Sequence, residues 1–410
     1  MRLLFVVPYA PTPIYVRPYN LLRTLARRGH RITLLTLQSR PEGKAHLQEL
    51  RDAGIEVHSF PLRRWRSLWN AARSLPGNRP IQANYCWHPK LHREMERLLT
   101  PKDGYAPYDI LHVEHLRGVQ YALHAQEHHP DLPIVWDSVD CISYLFQQAA
   151  ERSRSFFGQW VTRLELGRTL RLERELLRKF DHILVTSRND KQAYEALLPE
   201  NAPHTPIQVV PNGVSLDDFY PDENIKRSSR TLVVSGKMSY HANVTMVLNL
   251  VEDIMPLVWR EQPEVHLQIV GKDPHPKIQA LGSDRRIEVT GTVPHVRPYL
   301  QRAAIAVAPL AYGAGIQNKV LEAMACATPV VCTSQAVSAL EAEPGRHLLV
   351  ADTPETFAQT IINLLRDEKR RAVLGQAGHA YVERYHRWDS IAALLEDVYQ
   401  QVQMERIRRT

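Results

Sequence analysis

The stretch "IAVAPLAYGAGIQNKVLEAMACATPVVC", Ile305 to Cys332, decides how the chain is read. A short run of β-branched and small apolar residues stops at a glycine-containing loop. A helix of small residues follows, and "PVVC" begins a second apolar run. Strand, helix and strand in that order require a crossover, so the two strands lie parallel. The pattern recurs on both sides of this unit. Upstream stand "TLVVSG", a helix from about Asn243, "VHLQIVG", a short helix and "IEVTGTV"; downstream stands "HLLV". Nearer the amino end the alternation runs through "RLLFVVPY", "VRPYNLLRTLARRG", "RITLLTLQ", "LHREMERLL", "DILHVEHL", "IVWDSV", a long helix and "HILVTS". Strands alternating with helices predict doubly wound α/β sheets, and the restart predicts two Rossmann-like domains facing across a cleft. The expected division is 1–203, 204–385 and a closing amphipathic helix over 386–410.

Composition narrows the class. The chain has 410 residues, 44% hydrophobic and 23% charged, enough for two domains with their own cores. Cys86, Cys141, Cys326 and Cys332 form no C-x-x-C pair, which points to a reducing compartment. The apolar run ahead of Pro8 is too short for a signal peptide, and no stretch approaches the roughly 18 apolar residues of a membrane span. The expected location is the cytoplasm, with contact to a membrane only at its inner face. Fifty-one basic against forty-four acidic side chains leave a net charge of +7, dispersed enough to argue against nucleic acid. No G-x-G-x-x-G follows a strand, which argues against a dinucleotide oxidoreductase.

In the helix after the loop, Val320, Leu321, Met324 and Ala325 make an apolar face, and Lys319, Glu322, Ala323 and Cys326 make the opposite one. A lysine in the first turn opposes the helix dipole, and Lys ahead of Glu is the weaker order of an intrahelical pair. An anion at the helix start reverses that judgement. Backbone N–H groups after "GAGIQN", the dipole and the Lys319 ammonium then converge on a phosphate. Glu322, one turn on, suits a pair of sugar hydroxyls, because an ionised carboxylate offers two acceptor oxygens. An ordinary solvated Lys/Glu pair stays open from these residues alone.

"GAGIQNKVLEAMACATPVV" resembles the nucleotide-sugar signature of the family 4 retaining glycosyltransferases, which have the GT-B fold. The likeness extends over most of the chain. "VVPNGVSLDDF" resembles the first strand of the family's C-terminal domain, and "VVSGKMSYHAN" its phosphate loop. "LQIVGKDP" and "VTGTVPHVRPYLQRA" resemble later strands, and "YHRWDSIAALLEDVY" the last helix, which crosses back to the N-terminal domain. The resemblance implies transfer of a sugar from a nucleotide-diphosphate donor to a glycan or lipid-linked acceptor, without a metal or other cofactor. It implies that Glu322 holds the ribose hydroxyls and that Gly313, Gly315, Ile316, Gln317 and Asn318 lie against the sugar and diphosphate. Gly236, Gly271 and Val293 fall in the matching donor-side loops, and Lys237 stands where the family has a phosphate-binding arginine. Two positions depart from the pattern. Ala314 replaces a glutamate that contacts the donor sugar, and Asn243 replaces a lysine, so Lys319 is expected to supply the missing cation. In the N-terminal domain "FVVPYAPTPIYVRPYN" lacks the family's glycine loop. "DILHVEHLRG" brings up His112, Glu114 or His115, of which His115 is taken for the sugar-facing histidine.

A GT-B sugar-nucleotide epimerase and a non-catalytic sugar-nucleotide-binding partner of a biosynthetic complex remain as alternatives. Zinc is set aside for "HVEH" and "HAQEHH", since cysteine ligands are missing and the first pair lies on a strand. Asp137 and Asp140 in "WDSVDC" are expected to cap or orient the next helix. The segment "RRWRSLWNAAR", Arg63 to Arg73, places Trp65, Leu68, Trp69 and Ala72 on one stripe with a basic flank. Two readings fit it: a helix lying in an anionic membrane surface, or a tryptophan stripe packed on its own sheet. The helix around Arg163 to Lys179 reads as a surface helix with mixed ion pairs.

Overall fold

The computed structural model describes residues 1–39, 43–100, 107–152, 156–199, 202–222, 224–312 and 315–409, with the side chains of 149–152, 156–164 and 409 left aside. The chain forms two units, Met1–Asn212 with Ile391–Thr410, and Gly213–Ser390. Each is built on a wholly parallel sheet.

The first sheet contains β1 (Arg2–Val7), β2 (Arg31–Gln38), β3 (Glu56–Pro61), β4 (Ile110–Glu114), β5 (Ile134–Val139), β6 (His182–Val185) and β7 (Ile207–Val209) in the order β3-β2-β1-β4-β5-β6-β7. The second contains β8 (Thr231–Ser235), β9 (His266–Val270), β10 (Ile287–Gly291), β11 (Ile305–Ala308), β12 (Val330–Cys332) and β13 (Leu349–Val350) in the order β10-β9-β8-β11-β12-β13. The opening stretch of sequence is therefore β11, the helix Asn318–Ala325 and β12, with Ala306 paired to Val330 and Ala308 to Cys332. Central strands read as unbroken apolar runs because helices cover both faces. In β1 only Arg2 reaches solvent, and all of β4 is buried, His112 and Glu114 included.

In both sheets the strand order reverses once, between β1 and β4 and between β8 and β11. At such a point the two crossovers leave on opposite faces and open a crevice at the carboxyl ends of the strands. The loops after β8 and β11, and the turn from β4 into the helix His115–His128, are where the sequence places its candidate groups.

Two elements differ from the sequence reading, and a third agrees with it. The strand β3 is absent from it: Glu56–Pro61 lies at the sheet edge, is mostly half exposed and ends in proline, so its apolar signal is thin. β7 pairs with β6, Ile183 opposite Ile207, so "IQV" completes the first sheet and the units part at 212/213. The helix expected over 386–410 spans Trp388–Arg409, and from Ile391 onward it belongs to the first unit. There Glu396 pairs with Arg28, Arg406 with Asp181 at 2.8 Å, and Tyr399 Oη lies 2.8 Å from His112 Nδ1.

Two helices carry polar residues inward. In Arg64–Ser74 the buried positions are Ser67, Asn70 and Ser74, whereas Trp65, Leu68 and Trp69 are 56%, 66% and 58% exposed. Asn70 Nδ2 donates to Trp87 O at 2.9 Å, and Asn84 Nδ2 to Ser74 Oγ at 3.0 Å, so hydrogen bonds hold this helix to its neighbour. The packed-stripe reading of the tryptophans is thereby excluded. In Phe156–Leu176, expected as a surface helix, Glu165 does pair with Arg168 at 3.2 Å, but Glu173 is wholly buried. Its carboxylate accepts from the backbone N–H of Ile142 at 2.9 Å and Ser143 at 3.4 Å, and Asp190 accepts from that of Cys141 at 2.9 Å. These two acids cap the helix Ile142–Arg152, the task expected of Asp137 and Asp140. Asp140 accepts instead from Thr186 Oγ1 at 3.3 Å.

Candidate active site

β8 ends at Ser235, and Gly236 turns the chain with φ of 150°. Gly271, after β9, has φ of 153°, and a Cβ built on it would lie 1.7 Å from the carbonyl oxygen of Gly236. Only hydrogen fits between these two backbones. The ladder continues past the strand ends, with the Gly236 N–H donating to Val270 O at 3.0 Å and that of Met238 to Lys272 O at 2.9 Å. The Gly236 loop is thus a fixed shelf beside the β8/β11 reversal.

Asn243, in the helix His241–Asn249, ties this shelf to the opening helix. Its Nδ2 donates to Lys237 O at 3.0 Å, and its Oδ1 accepts from Lys319 Nζ at 3.0 Å. Gln317 Oε1 accepts from the same ammonium at 3.0 Å. The Lys319 side chain also passes Gly236, where a Cβ would meet Lys319 Cε at 3.5 Å. The cation missing at 243 is therefore held at 243 by Asn243 itself. Its two described partners are neutral amides, which orient the ammonium without cancelling its charge.

The amino end of Asn318–Ala325 is built to match. Among the described residues no side chain caps it, and its first turn has no acid. Among the described residues, buried Asn318 Oδ1 has no hydrogen-bond partner. Orphan N–H groups and the positive end of the dipole face the same corner as Lys319. Burial pushes the Lys319 pKa down to about 8, against the pull of Glu322. Burial likewise pushes Glu322 up to about 7, against the pull of Lys319. Each group sits in an environment that penalises its charge, a condition that a charged, hydrogen-bonding ligand relieves. Ala323 and Cys326 are buried rather than lining the approach.

Sequence reasoning brings together Gly236, Gly271, Gln317, Asn318, Lys319 and Asn243, and the structure does too. Lys237 is exposed beside them. Ile316 is buried in the core of the second unit, just after Gly315. Val293 follows the edge strand β10 and packs against that core from its partly buried position. Gly313 and Ala314 lie outside the described residues. The sequence reading missed the aromatic wall beside the loop: Tyr312 Oη lies 2.9 Å from His241 Nδ1 and 3.3 Å from Thr245 Oγ1, and its ring stacks on His241. A tyrosine at the mouth of a glycine loop was the available signal.

In the first unit the three candidates of β4 separate clearly. His112 is consumed, bonded to Tyr399 and stacked on Phe5, with Nε2 3.5 Å from Asp137 Oδ2. Glu114 accepts from Tyr9 Oη at 2.6 Å, and burial with the nearby Asp137 charge pushes its pKa up to about 8. His115 is the partly exposed one. It adopts φ of 61°, a left-handed conformation unusual for a side-chain-bearing residue, at the turn from β4 into its helix. Its Nδ1 accepts from the Arg117 N–H at 3.2 Å, and burial pulls its pKa down to about 3, so the ring is neutral. The close helix packing behind it leaves a Cβ on Gly118 only 2.9 Å from Val113. Beneath, Arg17 Nε donates to Asp137 Oδ2 at 2.7 Å, and its Nη1 donates to Val210 O at 2.8 Å. This fully buried pair was also missed, since an arginine in a first turn does not announce its partner 120 positions on.

Comparison with known proteins agrees with the architecture. A D-inositol 3-phosphate glycosyltransferase of Corynebacterium jeikeium is 23% identical over 256 residues, covering 56% of this chain and 59% of the relative, so the chain spans rather more than half of that curated protein. Among solved structures, sucrose-phosphate synthase from Thermosynechococcus elongatus superposes with a TM-score of 0.68 at 17% identity, over 98% of each chain. Anabaena Alr3699/HepE, solved with UDP and glucose, superposes with 0.66 at 14%, over 98% of this chain and 100% of its own. These likenesses establish the two-domain GT-B fold. Residues 14–213 match the glycosyl transferase 4-like domain, and residues 229–367 match the glycosyl transferases group 1. With one family model on each unit, together spanning most of the chain, both units are glycosyltransferase-type domains, and the chain has the GT-B fold of the solved structures it resembles.

Proposed function

We propose that this enzyme is a retaining hexosyltransferase of family 4 that moves a sugar from a nucleotide diphosphate to a glycan or lipid-linked acceptor in polysaccharide or glycoconjugate synthesis. The observation that carries the reading is the Lys319 ammonium, held by two amides beside the Gly236 backbone at an uncapped helix start. In a retaining transfer the acceptor oxygen attacks the anomeric carbon from the face that the diphosphate leaves. Negative charge grows on the departing phosphate, and fixed cations there favour the transition state over the ground state. Lys237, Lys319 and the helix N–H groups meet that charge, a task a divalent cation performs in other transferases, so the reaction is expected to proceed in EDTA. Glu322 holds the ribose hydroxyls, and by the family resemblance the neutral His115 ring is the sugar-facing histidine.

The first unit also suggests where the acceptor resides. Trp65, Leu68 and Trp69 stand in solvent, flanked by exposed Arg63, Arg64 and Arg73. Aromatic and basic groups on one helix suit an anionic membrane surface, and no helix among the described residues is long and apolar enough to cross one. The reading is a peripheral enzyme at the inner face of the membrane.

The test is transfer from a panel of nucleotide sugars to glycan and lipid-extract acceptors, with the product's anomeric configuration read by NMR. A retained configuration supports the proposal, and an inverted one defeats it. Altered free donor without acceptor identifies an epimerase, and donor binding without turnover identifies a silent partner.

A further inference from the structure

The helices Pro89–Leu99 and His115–His128 of the first unit meet through a cluster of imidazoles around one carboxylate. His92 and Glu96 lie one turn apart on the first helix, and His124 and His128 one turn apart at the end of the second. Glu96 Oε1 is 3.1 Å from His124 Nε2, and Glu96 Oε2 is 3.2 Å from His129 Nε2. The His92 and His124 rings meet edge to face at 4.1 Å, and His124 and His128 stack at 4.0 Å. Ligand-capable atoms of His92, Glu96 and His124 all lie within 4.8 Å of one another. The Nε2 atom of His92 is buried and has no hydrogen-bond partner among the described residues.

From this arrangement we infer that the two helices bind one zinc-class divalent transition-metal ion through His92, Glu96 and His124, with His128 or solvent in the fourth position. Two imidazole nitrogens and a carboxylate suit zinc, cobalt or nickel, whereas magnesium and calcium prefer all-oxygen shells. Ligands placed about 2.0–2.1 Å from a tetrahedral ion stand roughly 3.3 Å apart. The Glu96–His124 edge already has that length, and rotation of His92 closes the third corner. A hydrogen-bonded brace accounts for His129 and Glu96 Oε2 but leaves the buried His92 Nε2 and Glu96 Oε1 without hydrogen bonds among the described residues. Metal binding uses both. The ion is structural. His115 begins the same helix that carries His124 near its far end, roughly 14 Å along the axis at 1.5 Å per residue.

The sequence reading set zinc aside for "HAQEHH" because cysteine ligands are missing, and the partners that His124 finds lie on a different helix. Untagged protein, stripped with EDTA and then freed of it, is titrated with Zn2+ by calorimetry and with Co2+ by visible absorption. One equivalent of Zn2+, a raised melting temperature and Co2+ d–d bands are expected in the wild type. His92→Gln with His124→Gln should weaken Zn2+ binding by about 100-fold or more. Mg2+ should not compete. Equal Zn2+ affinity in wild type and variant, or wild type without Co2+ bands, overturns the site. If the double variant does not fold, Glu96→Gln takes its place, and unchanged metal affinity there overturns the carboxylate ligand and with it the proposed set.

Discussion

The two strand-order reversals have the same topology and opposite electrostatics. At β1/β4 the polar groups are bonded to one another: Arg17 is paired with Asp137, Tyr9 Oη donates to Glu114, which burial also raises, and His112 is locked by Tyr399. At β8/β11 the ammonium of Lys319 rests on amides, and Glu322 is raised by burial against the pull of Lys319. Repetition of a fold therefore does not repeat a site. One corner is wired for rigidity, and the other keeps a cation and a carboxylate in reserve for a ligand.

Breaking the wired corner should have the largest effect. Arg17→Met leaves Asp137 buried without its partner, and loss of about 3–5 kcal/mol of stability is expected in urea unfolding. A change below 1 kcal/mol would show that the pair is not what holds that corner. At the open corner the effect should appear in binding instead. Glu322→Ala removes hydrogen bonds to a charged acceptor, worth roughly 1.5–3 kcal/mol each, so donor affinity should fall about 100-fold or more by calorimetry. The ligand-free melting temperature should hold or rise, since a buried acid is removed. Lys319→Met should cost about tenfold or more in affinity for the nucleotide diphosphate alone. An unchanged affinity would mean that the amide-held cation faces something else.

The pH profile sharpens the contrast. Donor binding requires Glu322 ionised and Lys319 protonated, so affinity should peak between about 7 and about 8 and fall on either side. The sign for the empty chain is opposite on the acid side. Glu322 binds its proton more tightly folded than unfolded, so stability is full below its ordinary 4.5 and is lost as pH rises through about 7. Glu322→Gln should flatten that slope in thermal melts across pH. The smallest expected effect concerns the outer face of the first unit. Trp65→Glu with Trp69→Glu should release the protein from anionic vesicles in a sedimentation assay while leaving donor affinity untouched.

Much of this was legible before any coordinates. The Lys319/Glu322 face stood out because a first-turn lysine contradicts the helix dipole, and such local contradictions are what a functional site leaves in sequence. The parallel sheets followed from alternation alone. What stayed hidden depends on partners distant in the chain. Arg17 and Asp137, or Tyr399 and His112, meet only through the fold, and β3 hides because an edge strand needs little apolar pattern. The Arg64–Ser74 helix taught a different lesson. Its stripe was plain, but the assumption that a stripe faces inward fails where Ser67, Asn70 and Ser74 form the buried contact.

The close approach of Gly271 to Gly236 has one more implication. Any side chain at 271 would push its neighbour's carbonyl aside and shift the shelf on which Lys319 rests, though position 271 need never touch a donor. Saturation mutagenesis should therefore find this glycine as intolerant as a ligand-contacting residue. Its intolerance would be a record of how two loops share one thin wall.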